Sequence, residues 1–198
     1  MTSNLYRQYY GDFFPPASQH ILNLLQRNLT KEKPVLELGF GCGHLLFSLA
    51  ERGYSVSGIE IRRKAFEETQ RKFAEAGFHD VRLFHSDFMD HNKEYDCIYT
   101  TGLLQCLDAG ERLAMIEAIS KRCRKAIIIV PEIKVDRNLN SRELRAVAGC
   151  PEYRTGNLGM ELYRFFPYVR MGRWNGEILE LPDAFLYYVC VHLSGLAS

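Results

Sequence analysis

The sequence predicts an α/β fold, a doubly wound and mostly parallel sheet, on three observations. Short apolar runs alternate with amphipathic helical segments between residues 34 and 131. The first of those runs passes straight into a glycine-alternating turn and a helix. The second ends on an acid, Glu60, about 20 residues beyond the first glycine of that turn. A chain of 198 residues fits one domain with a sizeable core. The expected organisation is an N-terminal cap over residues 1–33, a core over 34–131, and a substrate-side segment with the last strands over 132–198.

The elements follow in order. Pro15-Pro16 ends any earlier helix, and Ala17 to Asn28 carries Ile21, Leu24 and Leu25 at the spacing of a buried helical stripe. Val35-Leu36-Glu37-Leu38 is short, mostly apolar and bounded by Pro34 and Gly39, as an internal parallel strand requires. His44 to Arg52 then places Leu45, Leu46 and Leu49 on one helical face. Lys64 to Ala76 is a second helix, stopped by Gly77. Asp108 and Glu111 form a capping box opening a helix to Arg122, with Leu113, Ile116 and Ile119 inward. Ala126 to Val130 is a buried strand terminated by Pro131. Beyond it, Ser141 to Ala148 reads as a short helix and Cys150 to Gly159 as loop. Leu162 to Val169 and Phe185 to His192 read as aromatic-rich strands, with Pro167 pushing the first to a sheet edge.

Composition excludes several classes. The 25 basic and 24 acidic residues nearly cancel, so no global field favours nucleic acid or anionic membranes. No apolar run reaches membrane-spanning length, and the opening MTSNLYRQYY lacks a signal-peptide core. The six cysteines form no C-x-x-C pair, which suits reduced thiols in a cytoplasmic protein, and the six histidines form no ligand-spaced cluster for a metal.

The turn after the first strand decides which ligand the core is built for. Gly39, Gly41 and Gly43 let a ligand approach the backbone where a Cβ would collide, and Glu60 can accept hydrogen bonds from both hydroxyls of a ribose. The pattern is E-x-G-x-G-x-G, led by Glu37, and not the G-x-G-x-x-G of dinucleotide folds. A carboxylate at that point suits a ligand with a cationic amino end better than a diphosphate.

With these motifs the chain resembles the class I S-adenosylmethionine-dependent methyltransferases. His85-Ser86-Asp87-Phe88, ending a strand from Val81 to His85, is similar to the family's adenine-contacting acid and its ring-packing neighbour. Glu94 to Leu104 is similar to the fourth strand and the loop beneath the methionine part of the cofactor. The resemblance covers residues 34 to 131. It implies a Rossmann-like seven-stranded sheet with one antiparallel strand, the two C-terminal strands pairing as a hairpin. It also implies S-adenosylmethionine as cofactor, with S-adenosylhomocysteine as product. The implied cofactor residues are Tyr10, Glu37, Gly39, Gly41, Gly43, Glu60, Ile61, Asp87, Phe88 and Thr101.

The chemistry itself is less sharply marked. Methyl transfer from a sulfonium needs alignment and a dry site, and a base only for some nucleophiles. Gln105-Cys106 stands where many relatives carry a Glu-His pair, which removes the obvious base; Cys106 is expected to be a half-buried neutral thiol. The other candidate bases are His20, His44, His85, Glu132, Glu143, Glu152 and Tyr153, with His79 and His91 expected to be solvated in turns. No catalytic residue is assigned. Tyr6, Tyr9, Tyr10, Phe13 and Phe14 read either as a lid over the site or as an aromatic patch packed on the core. Arginines from Arg137 to Arg173 read as an anion site or as a mixed-charge face, and Trp174 as a ring-stacking residue or as hairpin packing. The expected activity is methyl transfer to an oxygen or nitrogen of a small metabolite or biosynthetic peptide. The rival readings are a non-catalytic cofactor-binding sensor or partner subunit, an RNA methyltransferase, and a nicotinamide dehydrogenase.

Overall fold

The computed structural model describes residues 4–10, 16–132, 155–174 and 184–192. The strands are β1 (Val35–Leu38), β2 (Val56–Ile59), β3 (Arg82–Phe84), β4 (Tyr95–Thr101), β5 (Cys123–Glu132), β6 (Tyr168–Trp174) and β7 (Ala184–Val191). The helices are α1 (Asn4–Tyr10), α2 (Pro16–Asn28), α3 (His44–Glu51), α4 (Arg63–Glu75), α5 (Ala109–Arg122) and α6 (Thr155–Tyr163). All seven strands lie in one sheet, in the order β3-β2-β1-β4-β5-β7-β6. Only β7 is antiparallel to its neighbours among the pairs β5–β7 and β6–β7, so β6 again runs with β5. The chain packs as two compact units, Met1–Ile98 and Tyr99–Ser198, divided within β4.

In the first unit β1 is buried at all four positions and pairs in parallel with β2, setting Glu37 opposite Gly58. β2 pairs in parallel with β3. Pro16 starts α2, where its missing N–H leaves no helical bond unmade. The helical layer closes around Phe47 of α3, which is fully buried. The rings of Tyr6, Tyr9 and Tyr10 from α1 and of Phe73 and Phe78 from α4 and its exit all lie within 6.3 Å of it, mostly edge-on or tilted. Such edge-to-face contacts add roughly 0.5–1.5 kcal/mol per pair beyond area burial.

In the second unit the expected capping box opens α5: Glu111 N–H donates to Asp108 and Asp108 N–H donates back to Glu111. Within the helix, Arg112 is buried and makes two hydrogen bonds, of 2.7 and 2.8 Å, to the carboxylate of Glu161 on α6. Gly172 of β6 stands opposite Tyr187 of β7, whose ring fills the space a Cβ at 172 would take. Trp174 tilts onto the same ring at 4.6 Å, so the indole packs the hairpin.

Several expectations are corrected. Leu162 to Val169 is not a strand: Leu162 and Tyr163 end α6, and β6 begins only after Pro167. Leu158 and Leu162 are buried at four-residue spacing on α6, and Phe166 is buried just past its end, a pattern that the aromatic content disguised. The helix also takes in Thr155 to Gly159, expected as loop. β5 runs through Pro131, which sits opposite Phe185, and ends at Glu132. His91 is buried, bonded to the Tyr95 hydroxyl at 2.9 Å and stacked on its ring, and not solvated. The helix expected over 141–148 lies outside the described residues.

The Arg112–Glu161 pair is nearly dry, so removing one partner strands a buried guanidinium. Glu161→Ala is expected to cost about 3–5 kcal/mol of stability in a urea titration. A loss near that of an exposed pair, under about 1 kcal/mol, would show that the pair does not hold α6 to α5.

Candidate cofactor-binding site

The turn between β1 and α3 is left-handed at all three glycines, with φ of 69° at Gly39, 56° at Gly41 and 74° at Gly43. Gly43 is the most constrained. An added Cβ there would lie 2.5 Å from Thr69 Cγ2 and 3.4 Å from the Tyr10 hydroxyl. Four neighbours fix the turn. Thr69 of α4 donates to the Gly41 carbonyl at 3.2 Å, and the Tyr10 hydroxyl donates to the Cys42 carbonyl at 2.9 Å. Phe40 is buried against the bare backbone of Gly58 on β2. Gly41 N–H donates to Glu60 at 2.8 Å.

Glu60 follows β2 and is buried. Its Oε2 accepts from Gly41 N–H, and its Oε1 accepts from Arg62 N–H at 2.9 Å and Arg62 Nε at 3.0 Å. Burial alone would raise its pKa. The side-chain and backbone bonds from Arg62 and the backbone bond from Gly41 outweigh that and hold the carboxyl below its ordinary range. The Arg62 side chain is 70% exposed, whereas that of Glu60 is 3% exposed.

The other expected residues distribute as follows. Glu37 is buried in β1, below the turn. Ile61 is 63% exposed directly after Glu60, and its carbonyl lies 3.1 Å from His85 Nε2. Asp87 follows β3 and caps a short 3-10 turn, Phe88–Asp90, by accepting from Met89 N–H at 2.9 Å. Phe88 is buried, whereas Met89 is 44% exposed. Thr101 ends β4 in the second unit, and the next residue, Gly102, donates its N–H to the Ile129 carbonyl at 3.0 Å. Tyr10 is stacked on Tyr6 at 4.9 Å, with the Lys72 ammonium 4.1 Å from its ring centre. Burial foremost, then neighbouring Cys42, Tyr6 and Glu37, push its phenol well above the ordinary range, so it stays protonated and remains a donor.

Sequence reasoning missed Arg62, Thr69 and Met89. Thr69 betrays itself only through the fold. Arg62 and Met89 each stand two residues beyond a site acid, the offset at which a chain turning back can meet it. Cys106 is exposed, not half-buried, and its S–H donates to the Gly102 carbonyl. Gln105 beside it is 9% exposed, and its Oε1 is buried without a hydrogen-bond partner among the described residues. Glu132 is the last residue of β5; Glu143, Glu152, Tyr153, Phe13 and Phe14 lie outside the described residues. Among the described residues no three His, Cys, Asp or Glu side chains gather as metal ligands, and no helix is long and apolar enough to cross a membrane.

Two outcomes follow for the turn. Gly43→Ala forces a Cβ into the left-handed region and onto Thr69, and should lower stability by at least about 1 kcal/mol in a denaturant titration. Glu60 has a depressed folded pKa, so its contribution is present above the ordinary carboxyl value of 4.5 and is lost as pH falls through the folded value below it. The urea midpoint of the protein should therefore fall more steeply than that of Glu60→Gln below roughly pH 4.5. Parallel curves would remove Glu60 from the acid response.

Comparison with known proteins bears on the fold. Residues 35–126, from β1 into β5, match the family described as a methyltransferase domain. None of the curated proteins compared with the chain matches it in sequence. Among solved structures, the magnesium protoporphyrin IX methyltransferase of Synechocystis PCC 6803 with S-adenosylhomocysteine bound superposes with a TM-score of 0.72 at 18% identity, over 96% of this chain and 93% of that one. An S-adenosylmethionine-dependent methyltransferase of Clostridium acetobutylicum gives 0.66 at 13% identity, over 94% and 95%. The N-terminal domain of EvdMO1, in the presence of S-adenosylhomocysteine and D-fucose, gives 0.64 at 16%, over 91% and 84%. The glycine rim, free of Cβ atoms, and the acid at the end of β2 fit S-adenosylmethionine as the cofactor. Residues 35–126 thus match a methyltransferase domain, and the seven-stranded sheet has the fold of the S-adenosylmethionine-dependent methyltransferases it superposes on.

Proposed function

We propose that this protein is an S-adenosylmethionine-dependent methyltransferase acting on an oxygen or nitrogen atom of a small metabolite or biosynthetic peptide. The observation that carries the reading is the turn after β4. The 3-10 turn Leu104–Cys106 offers a buried amide and a thiol bonded to a carbonyl, and no carboxylate or imidazole. Such a floor suits an acceptor that attacks with little proton transfer, or one that brings its own acidic group. The near-zero net charge argues against a nucleic-acid acceptor, whose capture depends on paired phosphates. Two neighbours agree in kind: one is a methyltransferase of magnesium protoporphyrin IX, and another was crystallised with D-fucose.

When bound, S-adenosylmethionine supplies a methyl group on a sulfonium whose sulfur leaves as a neutral thioether after in-line attack. In this reading Glu60 accepts from the two ribose hydroxyls after Arg62 swings outward. Glu37 faces the amino end, and Gly39, Gly41 and Gly43 allow the close approach. Ile61 and Phe88 pack the adenine ring while Asp87 accepts from its amino group. Tyr10 holds the turn from α1. The rings of α1 packed on Phe47 then keep water from the turn.

Calorimetric titration with S-adenosylmethionine and S-adenosylhomocysteine, with NADH as control, should show binding of the first two alone. Glu60→Ala should weaken both by about 1.5–3 kcal/mol; unchanged affinity would remove Glu60 from the ribose. An acceptor screen that yields methylated RNA and no methylated metabolite or peptide would overturn the acceptor class.

A further inference from the structure

The cofactor turn carries a second group of polar side chains that methyl transfer does not use. Cys42, between Gly41 and Gly43, is exposed. Its Sγ lies 3.2 Å from Nδ1 of His44, and Nε2 of the same imidazole lies 2.8 Å from the hydroxyl of Ser18 on α2. Nucleophile, base and orienting group thus stand in hydrogen-bonded sequence, the arrangement that activates a weak nucleophile. The serine is 5% exposed, so the ring is oriented by a fixed partner and not by bulk water.

From this geometry we infer that Cys42 is a reactive thiol with His44 as its base, a modification site for hydroperoxides and other soft electrophiles. With Nε2–H donating to Ser18, Nδ1 is left to accept the thiol proton as sulfur attacks. Against a hydroperoxide, sulfur attacks one oxygen and the O–O bond breaks. The departing oxygen takes the proton back from Nδ1, giving a sulfenic acid and one water or alcohol. The groups around the pair are consistent with this. Burial lowers the His44 pKa, Glu37 on β1 raises it and Lys72 on α4 lowers it, so the imidazole is neutral and able to accept at pH 7. On α1 the phenols of Tyr6 and Tyr10 stay protonated, the first pushed up to about 12 by burial and then by Cys42. Cys106 is the internal control: it is also exposed, but its S–H donates to a backbone carbonyl.

The test is site-resolved labelling of the whole protein with iodoacetamide at pH 7, read by peptide mass spectrometry. Cys42 should react at least about tenfold faster than Cys106. His44→Gln, which keeps bulk and polarity but cannot take the proton, should erase that advantage. Ser18→Ala, which keeps the imidazole and removes its partner, should slow it partly. Dilute hydrogen peroxide followed by dimedone should mark Cys42 before Cys106. Equal rates for the two thiols in the unmodified protein would overturn the assignment without any variant having to fold. An unchanged Cys42 rate in a folded His44→Gln protein would do the same. Neither result bears on the cofactor or on the methyl acceptor.

Discussion

The hydrogen bond from Gly41 N–H to the Glu60 carboxylate is the constraint on which the cofactor half depends. It links the glycine-rich turn to an acid at the end of the neighbouring strand. Because β1 and β2 are parallel and in register from Val35–Val56 to Leu38–Ile59, their carboxyl ends arrive together and the bond needs no reach. Phe40 wedged on Gly58, Thr69 on the Gly41 carbonyl and Tyr10 on the Cys42 carbonyl then remove the remaining freedom. The turn is held from β2, α4 and α1 at once, so the ligand meets a shape that is already formed.

Charge is used differently in the two units. Glu60 is buried, yet it stays ionised because its partner is one flexible, mostly exposed guanidinium plus fixed backbone donors. Arg112 and Glu161 are both nearly dry and bonded in fork fashion, so neither can leave without stranding the other. A half-exposed ion pair sits beside the glycine turn, and a nearly dry one sits between two helices.

Much of this was legible in the chain because it is local. Val35 to Glu60 carries its strand, turn, helix and acid within one βαβ unit, and Asp108 with Glu111 announces a helix start by spacing alone. What failed was long-range or masked by composition. Tyr163, Phe165 and Phe166 gave the stretch around them a strand-like content, while the burial of Leu158 and Leu162 follows helical spacing. His91 looked solvated because nothing in a turn sequence announces that Tyr95, four residues on, will bond it in the interior. The Cys42–His44–Ser18 chain needed α2 to be brought against the turn, and no motif records that.

Gly172 and Tyr187 are directly paired across β6 and β7, and the tyrosine ring occupies the place of the glycine's missing side chain. Neither position can be optimised by itself. Among sequences descended from this one, a side chain appearing at 172 should be accompanied by a smaller residue at 187. The pair should therefore surface as a covarying couple, marking the edge hairpin in any family tree that includes it.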